Sequence, residues 1–289
     1  QRARSRMALV IITALLNAAL YLFFKFFGRH RIPLLPAIVV NYLVAFLFGL
    51  LYSHPWTVRD TTVLWLPAAV QGALFILLFH LMGLSSQRVG IAPTTVATKM
   101  SLALTVLLTV LIFHERPAPI AWVGIALAIA GVACSSWGGR LRGGAAWWLL
   151  PLLFVASSVS DMLINAAQRT CITPMTEAVF PTLVFGCAAF FGSCWLLFRP
   201  ERRSLLDPHV WVGGGLLGCV NYGSIYFLVR ALSGSGLAAS SVFPLVNTGV
   251  IFFGSAASVL LFKERLKPLH WAGIALSIAA LCCIIIAQG

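Results

Sequence analysis

The sequence predicts an all-α fold: a polytopic membrane protein whose ten transmembrane helices form two inverted five-helix repeats. Three observations carry this. Hydrophobic residues make up 60% of the 289-residue chain and charged residues only 9%, where a soluble domain carries about 25% charged residues. The apolar residues fall into ten stretches, each near the ~20 residues that cross a bilayer. Finally, the segment from Leu111 to Gly131, LIFHERPAPIAWVGIALAIAG, returns from Leu260 to Ala280 as LLFKERLKPLHWAGIALSIAA, with 12 of 21 positions identical. The chain is therefore a duplication, and the duplicated unit lies in a membrane.

The stretches run 7–27, 34–51, 63–84, 91–113, 120–137, 147–167, 178–198, 210–229, 237–262 and 269–287. Helices are required because lipid offers no partner to free backbone groups, and the ten-residue alternation of a membrane barrel is missing. The first stretch lacks a small-residue cleavage site after a short apolar core and reads as a retained helix. Proline and glycine mark the joints: Pro33, Pro117, Pro119, Gly138, Gly139, Pro174, Pro200, Pro208, Gly234, Gly236 and Pro268. Stretches four and five carry the strong copy of nine and ten. Upstream the match fades: 79–90 aligns with 227–236 only across a two-residue gap, and stretch one pairs with six by spacing alone. This divides the chain into repeats 1–138 and 147–289, joined by a linker at 139–146. Five spans is an odd number, so the second repeat enters the membrane from the opposite side. Inverted repeats of this kind build transporters, with the substrate site near the midplane between halves; a channel is the less common use.

The formal net charge of +13 does not point to nucleic acid. The cations sit singly or in pairs at helix ends, where they anchor the chain to membrane lipids. They do not fix its orientation. With the N-terminus inside, seven cations face inward (Arg2, Arg4, Arg6, Arg59, Arg116, Arg169, Arg230) and eleven outward. That count favours the reverse orientation, while the Arg2/Arg4/Arg6 cluster before the first helix favours this one. The seven cysteines follow no C-x-x-C spacing, so they predict neither a disulfide framework nor a zinc site. No metal or cofactor is expected. The motifs of zinc peptidases, serine hydrolases and phosphate-binding loops are missing, and so are paired carboxylates, which argues against an enzyme.

The copied motif, F-H-E-R-P-A-P-I-A-W-V-G-I-A-L at 113–127 and F-K-E-R-L-K-P-L-H-W-A-G-I-A-L at 262–276, resembles the EamA-type branch of the drug/metabolite transporter superfamily. The resemblance covers essentially the whole chain. It implies ten helices in the cell membrane, an inner membrane in a bacterium, with both termini cytoplasmic. It also implies a central cavity lined by both halves, and no universal catalytic residue. It does not specify a substrate. In the motif itself, Glu115, Arg116, Glu264 and Arg265 read as structural turns. Each arginine complements the negative end of the preceding helix, and each glutamate accepts from the amides of the following helix or pairs with its neighbour. The other reading of these pairs is gating.

Charges inside the membrane cost about 2.5–3.5 kcal/mol at a helix centre on insertion scales, so they mark candidate sites. Lys99 lies about eight residues into stretch four, amid Thr94, Thr95, Thr98 and Ser101. It reads as a cation for an anionic or zwitterionic substrate, or else as half of a structural salt bridge. Asp161 is the one acid well inside a stretch, with Asn165 one turn on. It is the coupling or charge partner: a proton carrier, or a structural or substrate contact. His80 is a packing residue or a substrate group. Lys25 lies near the end of its helix and can snorkel. Asn41 with Tyr42, Gln71, Asn221 with Tyr222, and Asn247 either hydrogen-bond between helices or line a cavity. Most Trp and Phe residues are assigned to interfaces and lipid faces. The expected function is a secondary transporter of a small polar, anionic or zwitterionic metabolite, working by alternating access as a monomer or weak dimer, with proton coupling left open. The alternatives are a flippase of lipid or lipid-linked sugar, or a channel-like facilitator.

Overall fold

The computed structural model describes residues 2–58, 61–113, 118–140, 146, 148–173, 175–234 and 239–288. Among them eleven α-helices occur: α1 (Arg2–Arg29), α2 (Leu34–Ser53), α3 (Thr62–Arg88), α4 (Ile91–Lys99), α5 (Ser101–Phe113), α6 (Pro119–Arg140), α7 (Leu149–Thr170), α8 (Val179–Leu197), α9 (Pro208–Gly234), α10 (Ala239–Leu260) and α11 (Pro268–Gln288). They make ten spans long and apolar enough to cross a membrane, with α4 and α5 sharing one. Each predicted stretch has its helix. The start of α1 and the end of α11 lie on one face of the bundle, here the near face; the other is the far face.

The break inside the fourth span was not expected. Its cause is the hydroxyl run. Thr94, Thr98 and Thr105 donate to the carbonyls of Gly90, Thr94 and Ser101, four residues back. Thr95 and Ser101 donate three back, to Ala92 and Thr98. Such side-chain bonds compete with the helical ladder and bend it. At Met100 the ladder tightens, with Ala103 N–H donating to the Met100 carbonyl three residues back at 3.0 Å. The matching helix of the second half, α10, runs unbroken with Pro244 inside it.

Lipid tails are as apolar as leucine, so association within the bilayer depends on close packing of small residues. The copied helices α6 and α11 show this most clearly. A Cβ on Gly124 would lie 3.1 Å from the Ala280 carbonyl oxygen and 3.1 Å from Ile284; one on Gly273 would lie 2.9 Å from the Gly131 carbonyl oxygen and would also meet Ser135. Adding 149, the spacing of the copies, to 124, 131 and 135 gives 273, 280 and 284. The same contact is thus made twice with the partners exchanged, which is consistent with the inverted duplication. Elsewhere α1 packs on α9 and α10, α3 on α7 and α8, and α2 on α8 and α9. Phe24, Phe27, Ile38, Tyr42 and Phe185 are buried in one core between them. Leu66, Phe190, Phe252 and Ile286 are exposed, as lipid-facing apolar side chains must be. Outside the spans, Asp207 caps α9 by accepting the His209 amide at 2.9 Å. The His209 amide and ring hold its carboxyl below the usual carboxylate range.

Candidate functional site: a one-sided cavity beside a buried polar seam

The interrupted span presents its hydroxyls to α1 and α7, and the result is a polar seam near mid-membrane. The Tyr21 hydroxyl and Thr98 Oγ1 are 2.6 Å apart. Ser158 Oγ donates to the Ser101 carbonyl at 3.1 Å, and Ser101 Oγ donates to Asp161 Oδ2 at 2.8 Å. One residue before Asp161, Ser160 Oγ accepts from Gln71 Nε2 at 2.6 Å. Lys99 ends α4 half-buried. Lys99 and Asp161 feel one another's charge, yet no N–O distance of 4 Å or less joins them. They interact across a gap rather than as a contact ion pair.

Beside the seam lies a cavity of about 480 Å³. Gln71 and Phe75 of α3 form its floor. Ile164 and Gln168 of α7, Phe180, Val184 and Phe185 of α8, and Ile225, Leu228 and Leu232 of α9 form its walls, and Glu177 and Phe243 stand at its rim. These are the near-face ends of α7, α8, α9 and α10, so the cavity opens to the near face. Its surface is largely apolar, and Glu177 is the one charged side chain on it among the described residues. Stretches three, six, seven and eight supply most of the walls, while stretches one and four meet at Tyr21 and Thr98. Neither Lys99 nor Asp161 lies on the wall; Gln71 connects it to the seam through Ser160.

The other candidate residues are dispersed. Asn41 and Asn221 bond to each other, Nδ2 of Asn221 donating to Oδ1 of Asn41 at 3.1 Å, which ties α2 to α9. The Tyr42 hydroxyl donates to the Phe75 carbonyl at 3.0 Å, behind the cavity floor. Tyr222 stacks on Phe48. His80 lies edge-on to Trp195 at 5.0 Å, with Nδ1 buried and unpartnered. Asn247 is half-buried on α10. Asn165 accepts from Arg169 Nε at 2.8 Å. Glu115 and Arg116 lie outside the described residues. Arg265 is exposed.

Glu264 reaches further than a local turn. It caps an N-terminus, but that of α4 in the other half rather than of the helix that follows it. Oε2 accepts from the Ile91 amide at 3.1 Å and from the Ser258 hydroxyl. Oε1 lies 2.7 Å from Lys25 Nζ at the end of α1. Lys25 also donates to the Gln87 carbonyl at 3.4 Å, and Gln87 Nε2 donates to the Phe24 carbonyl at 3.0 Å. This knot joins α1, α3, α4 and the segment after α10 at the far face. Sequence reasoning missed Gln87, Gly90 and the cavity aromatics Phe75, Phe180, Phe185 and Phe243. Only helix packing brings them together, and nothing in their spacing distinguishes them from lipid-facing neighbours.

Ten apolar spans define a multi-pass integral membrane protein. Residues 4–137, from α1 into α6, match the EamA-like transporter family, which supports a membrane transporter. Over 290 aligned residues the chain is 24% identical to an uncharacterised protein of Haemophilus influenzae, covering 95% of this chain and 96% of the relative. A solved crystal structure at 17% identity superposes with a TM-score of 0.63 across 99% of both chains. That likeness speaks for the fold alone.

Proposed function

We propose that the protein is a secondary transporter that carries a small amphipathic metabolite, anionic or zwitterionic at one end and apolar at the other, by alternating access between its two five-helix halves. The one observation that carries this is the cavity ending at Gln71, next to a seam that holds a lysine and an aspartate with no contact ion pair between them. The apolar wall suits the body of the solute. The head group is drawn to the Gln71 end, where Lys99 and Asp161 supply charge that the bilayer otherwise excludes. Binding to fixed, partly dehydrated groups is stronger than to the same groups in water. Asp161, held by Ser101 and facing Lys99 without an ion pair, is the candidate coupling group. With the termini cytoplasmic, as in the family, the cavity faces inward. The second repeat, 147–289, is read as a further unit of the same type on the strength of its copied motif.

The test is uptake and counterflow in liposomes across a panel of anionic, zwitterionic, cationic and neutral solutes of matched size. Saturable movement of an amphipathic anion or zwitterion, lost in Lys99→Met and kept in part by Lys99→Arg, is expected. Full transport by both variants removes Lys99 from the mechanism, and exclusive transport of cations overturns the substrate class.

A further inference from the structure

Resting on the alternating-access reading above, we infer that the Lys25–Glu264 pair is the far-face latch of the transport cycle, which must break whenever the cavity opens to that face. Four elements meet in it. Lys25 lies one turn before the end of α1, Gln87 one residue before the end of α3, the Ile91 amide begins α4, and Glu264 follows α10 with Ser258 of α10 bonded to it. On the near face the corresponding ends of α7 and α9 and the start of α10 surround the open cavity. Opening the far face means separating the ends that this pair joins.

The physical setting suits a switch better than a fixed brace. The side chain of Glu264 is 8% exposed and that of Lys25 24%. The attraction is therefore less screened than on an open surface, while Lys25 keeps contact with water. Just outside lies a recess of about 540 Å³ bordered by Lys25, Gly28, Arg29, Gln87 and Lys263. The recess, which Leu261 and Phe262 also border, gives the ammonium a place to go when it leaves Glu264. Glu264 keeps the Ile91 amide and Ser258 as partners when Lys25 departs, so a broken latch does not strand a bare carboxylate. A brace designed to hold permanently needs no such provision.

The test uses single reporter cysteines in an otherwise cysteine-free full-length protein. Ser86→Cys on α3 and Ala92→Cys on α4 replace small, buried residues beside Gln87 and Ile91. A membrane-impermeant maleimide is added from the far face. Lys25→Met and Glu264→Gln are each expected to raise the labelling rate of both reporters roughly tenfold. A cross-linked Lys25→Cys/Glu264→Cys protein is expected to stay unlabelled at the reporters and to stop solute movement until reduced. Unchanged labelling in both single variants, in protein that melts like the parent, overturns the latch; so does full transport by the cross-linked form. Faster labelling in protein that moves no solute under any gradient supports the latch and overturns the transport reading instead.

Discussion

A Cβ on Gly90 would stand 2.9 Å from Glu264 Oε2, and Gly90 itself holds φ at +130°. Two residues 174 positions apart in sequence (264 − 90) thus fit only because one has no side chain. Gly90→Ala strains the backbone and pushes the carboxylate from the Ile91 amide. Strain of this kind costs about 1–3 kcal/mol, and a clear fall in melting temperature in detergent is expected. Gly215→Ala on α9, where an added Cβ meets nothing within 4 Å, is the matched control, expected to be neutral or slightly stabilising. Equal melting of both variants counts against the fit described for Gly90.

The α6–α11 contact makes a second prediction. Gly124→Val and Gly273→Val force apart helices that touch backbone to backbone. Each is expected to destabilise by about 1–3 kcal/mol, the usual cost of overpacking, measured by thermal melting of the purified protein. Because the two glycines occupy matching places in one repeated contact, the two costs should be alike in sign and size. A loss confined to one of them contradicts the matched geometry.

The seam yields a prediction about coupling. Asp161→Asn keeps shape and a hydrogen-bond acceptor for Ser101 Oγ while removing the charge and its proton. Transport is expected to persist in part and to lose its response to an imposed pH gradient. Uptake by the variant that still follows the gradient removes Asp161 as the proton carrier.

Gln71 is where the cavity meets the seam. Gln71→Leu removes a donor to Ser160 and an amide from the cavity floor. A rise of about five- to tenfold in KM, equivalent to one hydrogen bond of ~1 kcal/mol, is expected, with a smaller change in kcat. An unchanged KM places the solute elsewhere.

Asp207 predicts a pH effect outside the membrane. Its carboxyl is held below the usual range by His209, so its contribution is present above the unfolded value of about 3.9 and fades as pH falls through the folded value. The melting difference between parent and Asp207→Ala is therefore expected at pH 7 and should shrink at pH 3. A difference that grows in acid reverses the assigned sign.

Much of the architecture was legible because it depends on composition and repetition. Ten stretches predicted ten spans, since a bilayer fixes the length of each and lipid forces it to be helical. The copied motif predicted equivalent helices, and α6 and α11 do pack on one another. The hydroxyl run around Lys99 is visible in the sequence, but its spacing alone does not show that the helix turns at Met100. Lys99 and Asp161 stood out because isolated charges in apolar stretches are conspicuous in any sequence.

What the sequence by itself determined, then, was every property that a residue carries with it: apolarity, span length, punctuation, and the lone charges. Tertiary structure alone decided which of them meet. Glu264 looked like a turn residue and instead joins α1, α3 and α4 across the far face. Phe75, Phe180 and Phe185 looked like lipid-facing aromatics and instead line the cavity. The reason is physical. In a membrane both faces of a helix are apolar, so hydrophobic periodicity no longer tells inside from outside. Only the close fit of small residues between helices settles which side faces a neighbour, which faces lipid and which faces the cavity.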